Sequence, residues 1–281
     1  MKPPCGVIAL LTDFGLRDVY VAAMKAVILA INPEARIVDI THEVPKFSVR
    51  DGAFTLLSVY RYFPEGTVFV VVVDPGVGGG RRALLVVTHR YFFIGPDNGV
   101  LLPAALEDGV EAVYELRNPA YMVHPVSASF HGRDIFSPAA AWLTRHADPS
   151  AFGPEVPVES LVEPPRLKYL EVLGGGRALV EVVHVDGFGN LILSARWEEL
   201  DEALGGLRPG DELRVKALCS GVEALARVRR VFSEAPRGEL VLYRDSLGFA
   251  ELAVNLGSAA EKLRAGSGCR VSLSRGSSGQ G

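Results

Sequence analysis

The run Val68–Val73 constrains the fold of this chain most, because its six consecutive residues are apolar and five of them are valine. Such residues favour strands, and a strand that is apolar at every position must be covered on both faces. Gly6–Leu11 is a second run of this kind, and helical periodicity follows it over Asp18–Ile31. The alternation of buried strands and helices predicts a mostly parallel sheet that lies between helices.

Other segments of the first half continue this alternation. Ser48 and Asp51 have the spacing of a capping box and predict a helix start at that point. The remaining predicted elements are strands at Arg36–Ile40, Ala83–Val87 and Tyr91–Ile94 and a helix from Asp134 to His146.

The character of the chain changes after about residue 153. Four prolines fall within twelve residues and predict a stiff connector, namely Pro154, Pro157, Pro164 and Pro165. Beyond them, short strands alternate with glycine turns, which predicts an antiparallel β-barrel or sandwich. We therefore predict an α/β domain over residues 1–155, a proline-rich linker over 156–169 and a smaller β domain over 170–281.

Charge and cysteine content exclude several classes of protein. The net charge is −4, from 29 basic and 33 acidic residues, which argues against a nucleic-acid partner. No apolar stretch reaches the ~18 residues of a membrane span. Three widely separated cysteines give no disulfide framework and no CxxC metal site, which favours a reducing interior. We expect a soluble, cytoplasmic protein.

Polar clusters follow several of the predicted strands, where open α/β sheets bind their ligands. Each cluster alone could be only a turn, since Asp and Gly are common there, but their arrival at one sheet edge favours a site. On this ground Asp97 and Asn98 join the predicted substrate-binding residues. The clusters are Thr12-Asp13-Phe14-Gly15, Asp74-Pro75-Gly76, Pro96-Asp97-Asn98-Gly99 and, before a helix, Ser129 to Asp134.

The glycine run that begins at Asp74 matches the D-x-G-x-G-x-G pattern of Rossmann-like methyltransferases. That reading requires a helix after the glycines, whereas a strand-like segment follows Arg81 and Arg82. A glycine hairpin fits better, and it would bring a guanidinium close to the Asp74 carboxylate. Among the histidines only His131 lies in a loop crowded with polar groups, and no histidine pair has the spacing of a metal site.

Six motifs in order resemble the S-adenosyl-L-methionine (SAM) hydrolase family, also called SAM hydroxide adenosyltransferases, which is related to SAM-dependent fluorinases and chlorinases. The resemblance runs from about Val7 to Val271 and implies an α/β domain, a β-barrel domain and a homotrimer with its ligand between subunits. The motifs are Leu-Thr-Asp13-Phe-Gly, Val-Asp74-Pro-Gly-Val-Gly, Gly-Pro-Asp97-Asn98-Gly, Phe-His131-Gly-Arg133-Asp-Ile-Phe, Asp186-Gly-Phe-Gly-Asn190 and Ser246-x-Gly-x-x-x-x-Ala253-Val-Asn255.

The resemblance implies catalytic residues at Asp74, Arg81 and His131, with Arg82 as the competing arginine. Halogenating relatives have a tyrosine where Asp74 stands, so Asp74 favours water over halide as the nucleophile. Water would attack the ribose C5′ of SAM and release adenosine and L-methionine. Asp74 and His131 would accept its proton, while Arg81 would orient the water or hold Asp74.

Substrate contacts are implied in the same way. Asp13 would bind the ribose hydroxyls, an aromatic ring near Phe47 would close over the ribose, and the backbone at Asn255 and Leu256 would face the adenine. The methionine end would be held by Asp186, Asn190 and Ser246. SAM is the substrate, adenosine is a further ligand, and no cofactor or metal is expected. A halogenase and a non-catalytic SAM or adenosine binder stay open as alternatives.

Overall fold

The computed structural model describes residues 2–275. These residues form two compact units, of which the first ends at Pro165 and the second begins at Arg166. This boundary lies within the proline-containing stretch 156–169. Each unit has its own hydrophobic core.

The first unit is built on a six-stranded sheet in the order β2-β1-β3-β5-β4-β6. β2, β1, β3 and β5 run parallel to one another, whereas β4 pairs antiparallel with β5 and β6. The predicted mostly parallel sheet is therefore confirmed. Its elements in chain order are β1 (Val7–Thr12), α1 (Tyr20–Ile31), β2 (Arg36–Thr41), α2 (Val49–Val59), β3 (Val68–Val72), β4 (Ala83–Thr88), β5 (Phe92–Pro96), α3 (Leu102–Asp108), β6 (Val110–Glu115) and α4 (Ser137–Thr144).

Both faces of this sheet are covered. On one face, Ile8 and Leu10 of β1 belong to a core cluster with Met24 of α1 and Ala140 of α4. On the other face, Phe69 of β3 stacks on Phe93 of β5, with ring centroids 5.1 Å apart, and Tyr60 after α2 packs against Phe93. Successive strand residues point to opposite faces, so uninterrupted apolar runs supply both cores.

The helix predicted from Asp134 to His146 begins earlier and less regularly. A π-helical turn over Gly132–Phe136 leads into α4. Pro138 has no N–H to donate to the carbonyl of Asp134, and the N–H of Val123 donates to it instead, at 2.9 Å. This bond to Asp134 therefore holds the chain that precedes the π turn in place. Single π turns are common near functional sites.

The second unit is a β-barrel closed by the pairing of β14 with β8. Seven strands form the barrel and β7 adds to β8; the pairs are antiparallel except that β11 and β12 run parallel. The barrel implied by the resemblance is confirmed. Its elements are β7 (Leu170–Val172), β8 (Arg177–Val185), β9 (Leu191–Arg196), α5 (Trp197–Ala203), β10 (Glu212–Ala217), β11 (Glu223–Val228), β12 (Leu240–Arg244), β13 (Phe249–Val254), α6 (Ala259–Leu263) and β14 (Arg270–Arg275).

The expectation that the cysteines form no disulfide is wrong, because Cys219 and Cys269 are bonded to each other. β10 and β14 are antiparallel neighbours with Ala217 opposite Val271. Continuing that register by two residues places Cys219 opposite Cys269. The pairing depends on the barrel topology, which spacing along the sequence does not reveal. Cys5 is a free cysteine.

Within residues 2–275, no helix is long and apolar enough to cross a membrane.

Candidate active site

A compact ion-paired cluster lies at the carboxyl end of β3. Asp74 follows this strand, and the Arg81 side chain returns to it, its Nε donating to both carboxylate oxygens at 3.0 and 3.1 Å and its Nη2 forming a further short contact. Nη2 of Arg81 also lies 2.8 Å from Nδ1 of His131. The side chains of Asp74 and Arg81 are only 4% and 10% exposed. The predicted hairpin thus brings a guanidinium onto the Asp74 carboxylate, as expected.

A glycine brings the two halves of this cluster together. Gly78 has a φ of +76°, and a Cβ at this position would lie 2.1 Å from the carbonyl oxygen of Ala128. Only glycine allows both this backbone conformation and this approach. The glycine run therefore packs the loop that follows Asp74 against the loop that precedes His131.

The ring of His131 has a defined proton arrangement. A guanidinium can only donate hydrogen bonds, so Nδ1 of His131 is the acceptor from Arg81 and the proton of the neutral ring is on Nε2. Burial, together with the positive charge of Arg81, lowers the pKa of His131 below its usual 6.5. At neutral pH the ring is therefore uncharged and presents an Nε2–H donor.

The loop before His131 is held by Asp134, which is fully buried. Its carboxylate accepts from the N–H of Ser127 at 2.8 Å and from Nε of Arg133 at 2.6 Å. The guanidinium of Arg133 lies over the ring of Phe130, 5.1 Å from its centroid. These contacts anchor the loop at several points next to His131.

Arg82 points to a different partner from its neighbour Arg81. Its Nε donates to Asp97 at 2.8 Å, and its Nη1 donates to the hydroxyl of Ser160 at 3.0 Å. The other Asp97 oxygen accepts from the N–H of Val162 at 2.9 Å. Consecutive residues of an extended chain point in opposite directions, which explains the division. Arg81, not Arg82, lies with Asp74 and His131.

The side chains of the predicted substrate residues Asp97 and Asn98 form hydrogen bonds inside the first unit. Asp97 holds Arg82 and the connector, as described above. Nδ2 of Asn98 donates to the carbonyl of Val73 at 2.9 Å, one residue before Asp74. The structure thus brings both near the end of β3 but gives them supporting contacts of their own.

Asp13 and Phe47, two of the predicted substrate residues, lie together. Asp13 is buried after β1, and its Oδ2 accepts from the N–H of Phe47 at 2.8 Å. Phe47 has a φ of +65°, and its side chain is 70% exposed. A bulky residue rarely adopts this conformation, and such strain is often found at ligand-binding positions.

Sequence reasoning assigned no role to an aromatic cluster in the same unit. The rings of Phe14, Tyr20 and Phe130 contact one another with centroids 5.3–5.9 Å apart. Phe14 follows Asp13 directly and Phe130 precedes His131, so adjacency to a predicted site residue was the available signal. The cluster provides apolar surface next to Asp13 and His131 in the chain.

A cavity of about 1010 Å³ lies within the second unit. Its lining includes the predicted residues Asp186, Asn190, Ser246 and Leu256, whereas Asn255 is not among the lining residues. Nδ2 of Asn255 donates to the carbonyl of Ala235 at 2.6 Å. The cavity also has lining residues that sequence reasoning missed, namely Phe188, Phe232, Arg237, Tyr243, Asp245 and Glu251.

The turn that carries Asp186 is internally hydrogen-bonded. Oδ1 of Asp186 accepts from the N–H groups of Phe188 and Asn190 at 2.9 and 2.8 Å, and its Oδ2 accepts from Nδ2 of Asn190 at 2.9 Å. Phe188 is 82% exposed between two glycines. The usable sequence signal for this binding position was an aromatic residue with a glycine on each side.

Two carboxyl groups of the cavity have raised pKa values. Burial is the main cause for Glu251, whose pKa rises to about 7 while the phenol of Tyr243 donates to it. Burial also raises the pKa of Asp245, against the effect of its backbone hydrogen bonds. The cavity therefore favours positively charged groups, which would restore the ionised carboxylates.

Over residues 2–275, no group of three or more His, Cys, Asp or Glu side chains is placed to hold a metal ion.

The predicted site residues fall into two sets, one in each unit. The first unit contains Asp13, Phe47, Asp74, Arg81, Asp97, Asn98 and His131, and the second contains Asp186, Asn190, Ser246, Asn255 and Leu256.

Two family models match the chain. The model of the SAM hydroxide adenosyltransferase N-terminal domain matches residues 8–153, and that of the C-terminal domain matches residues 180–272. The chain belongs to the SAM hydroxide adenosyltransferase family. Its two units carry the two domains in the order of the models.

Relatives of known name support this membership. The chain is 39% identical to proteins named (R)-S-adenosyl-L-methionine hydrolase from Salinispora arenicola, over 96% of this chain and 98% of the relative, and from Thermus thermophilus, over 94% and 97%. A fluorinase of an Actinoplanes species is 26% identical over 96% and 97%. A solved structure of an uncharacterised conserved protein from Thermotoga maritima matches with a TM-score of 0.88 at 38% identity, over 95% of this chain and all of that one.

Proposed function

We propose that this protein hydrolyses SAM, as the R epimer at sulfur, to adenosine and L-methionine. The ion-paired cluster of Asp74, Arg81 and His131 carries the proposal, since these three side chains contact each other in a chain that is 39% identical to two hydrolases of that name. The epimer is taken from the names of those relatives. SAM is the substrate, and we propose that the reaction needs no cofactor or metal.

The reaction is a displacement at the ribose C5′. A water oxygen forms the new bond to C5′ as the C5′–S bond breaks, and the sulfur keeps the bonding pair and leaves as a neutral thioether. One proton is released from the attacking water. No acid is needed for the leaving group, so the protein has to place the water, accept its proton and exclude other water.

We divide these tasks among three side chains according to their contacts. Asp74 is the acceptor for the proton of the water. His131 orients the water through Nε2–H, because its Nδ1 already accepts from Arg81. Arg81 holds both groups and stays protonated throughout. This modifies the expectation that His131 accepts the proton.

The substrate contacts follow the resemblance. Asp13 would bind the ribose and Phe47 would cover it, while the second-unit cavity would take the methionine and adenine ends through Asp186, Asn190, Ser246, Leu256 and the backbone near Asn255. We give Asp97 and Asn98 a supporting role, because their side chains already hold the connector and the end of β3.

We also propose a cytoplasmic homotrimer in which the first unit of one subunit and the second unit of its neighbour form each site. Large apolar side chains that are exposed in the single chain support this, with Leu16, Val19 and Phe47 in the first unit and Phe188 and Leu256 in the second. Light scattering would give the subunit number. Mixing His131→Ala with Asp186→Ala subunits, each inactive alone, should restore activity only if sites are shared.

The deciding experiment incubates the purified protein with each SAM epimer in ¹⁸O-labelled water, without and with chloride or fluoride. Adenosine labelled at the 5′ oxygen, with equimolar methionine and formed faster from the R epimer, is the expected result. A 5′-halogenated nucleoside would indicate a halogenase, and intact SAM would indicate a binding protein. Either result would overturn the proposal.

Variants test the assignment of roles. His131→Ala and Asp74→Ala should lose hydrolysis, by ~10²-fold or more, while most of the SAM affinity remains. Asp13→Ala should mainly weaken binding. Equal loss of binding in all three variants would contradict this division. Because His131 works uncharged and burial lowers its pKa below 6.5, kcat at saturating SAM should stay level above pH 6.5 and fall as the pH drops below that value; a kcat that rises as the pH drops would indicate a protonated His131.

A further inference from the structure

The barrel cavity is lined by more acidic than basic side chains. Asp186, Asp245 and Glu251 all line it. Arg237 is the basic residue of the lining, and within residues 166–275 it forms no ion pair within 4.0 Å with any of these carboxylates. The charge balance of the cavity therefore favours a positively charged ligand.

Asp245 provides the first geometric observation. Its Oδ1 accepts from the N–H groups of Leu247 and Phe249 at 2.8 and 2.7 Å. Its Oδ2 is buried and, within the described chain, has no hydrogen-bond partner. A buried carboxylate oxygen without a donor is costly, which indicates that a donor arrives from outside the chain.

Glu251 provides a second, independent observation. It lies on β13 in a strand that is otherwise apolar, and only 5% of it is exposed. Within the described residues, the side chain of Glu251 accepts a hydrogen bond from the phenol of Tyr243 on the neighbouring strand β12. A phenol donates a hydrogen bond without neutralising the charge, so the ionised form of Glu251 has no compensating cation there.

We propose that Asp245 and Glu251 form the cation subsite of this cavity, taking up the positive charge of the substrate and releasing a proton to solvent as it binds. The inference rests on the proposed function, which supplies a substrate with a sulfonium and an ammonium group. It extends that function, because the resemblance assigned the methionine end only to Asp186, Asn190 and Ser246.

The groups that face the pair define the expected pH dependence. Tyr243 donates to Glu251, while the charges of Asp186 and Asp245 oppose its ionisation. The positive charge of Arg196 partly offsets the rise that burial causes in the pKa of Asp245. The pKa of Glu251 near 7 means that the empty site is mostly protonated at about pH 6 and mostly ionised at about pH 8, so a cation binds about tenfold more tightly at the higher pH.

The test measures binding, not turnover, in a His131→Ala background. The affinities for SAM and for adenosine, which carries no positive charge, are compared between about pH 6 and pH 8. Glu251→Gln keeps an acceptor for Tyr243, and its matched control is Glu223→Gln at an exposed position. Calorimetry in buffers of different ionisation enthalpy counts the protons released.

We expect SAM affinity to rise about tenfold with pH in the background and in Glu223→Gln, and to be weaker and independent of pH in Glu251→Gln. Adenosine affinity should not change. Tyr243→Phe removes the donor and should move the midpoint to higher pH. The same pH dependence in Glu251→Gln, or an equal loss of adenosine affinity, overturns the subsite. Binding without hydrolysis in the wild type would refute the proposed function and leave the subsite standing.

Discussion

The disulfide between Cys219 and Cys269 should supply a large part of the stability of the barrel unit. The bond joins residues 50 positions apart, so its removal frees a long loop in the unfolded chain. The loop-entropy relation gives about 4 kcal/mol for a loop of this length. Cys219→Ser is the chosen change, because Cys219 is exposed whereas Cys269 is buried and would add a packing loss.

The two tryptophans allow each unit to be followed separately. Trp142 packs in the first unit and Trp197 packs against the barrel core. In a Trp142→Phe background, fluorescence during denaturant unfolding therefore reports the barrel. Cys5→Ser is the matched control, because Cys5 is a free cysteine of the first unit.

We expect Cys219→Ser to lower the free energy of unfolding of the barrel by about 4 kcal/mol, and reductant to do the same to the intact chain. Reductant should add nothing to Cys219→Ser, and Cys5→Ser should leave the barrel unchanged. Thiol titration of the denatured, unreduced protein should find a single thiol. Three thiols, or a loss below ~1 kcal/mol, would refute the reasoning.

Three further variants test other contacts. Gly78→Ala should lower the free energy of unfolding by more than ~1 kcal/mol, and with it the melting temperature and kcat, because the new Cβ would meet the carbonyl of Ala128. Gly80→Ala is the matched control and should change neither, because its Cβ would point into open space. Asp97→Asn should cost about 1–3 kcal/mol in denaturant unfolding, since the amide keeps only one of the two buried oxygens that accept from Arg82 and from the N–H of Val162. The raised pKa of Glu251 makes the folded protein bind more protons than the unfolded chain, so wild-type stability should fall from pH 4.5 to about 7, and less so in Glu251→Gln.

The strands of the first unit could be predicted from sequence because each is a local pattern. Val68–Val73 needs no partner to be identified as a buried strand, and the structure has β3 at Val68–Val72. Ser48 likewise caps its helix by accepting from the N–H of Asp51, as its spacing predicted. These features depend on residues within a few positions of each other.

Features that depend on distant residues could not be predicted. Nothing near Cys219 indicates that Cys269 lies opposite it, or that β11 and β12 run parallel. The choice between Arg81 and Arg82 was open in the sequence, because the direction of each side chain depends on where β4 begins. Asp97 was assigned to substrate because its pattern suggests a turn at a sheet edge, while its partner Val162 is far along the chain.

The closed barrel also limits how the second unit can meet another molecule. Each of the seven barrel strands in residues 166–275 has a neighbour on both sides, so the edge open to backbone pairing belongs to the three-residue strand β7, which does not line the cavity. A partner that covers the cavity must therefore be recognised by side chains on the turns, such as Phe188 and Leu256. Partner choice can then change through a few turn residues, while the hydrogen-bonded frame that holds the cavity stays the same.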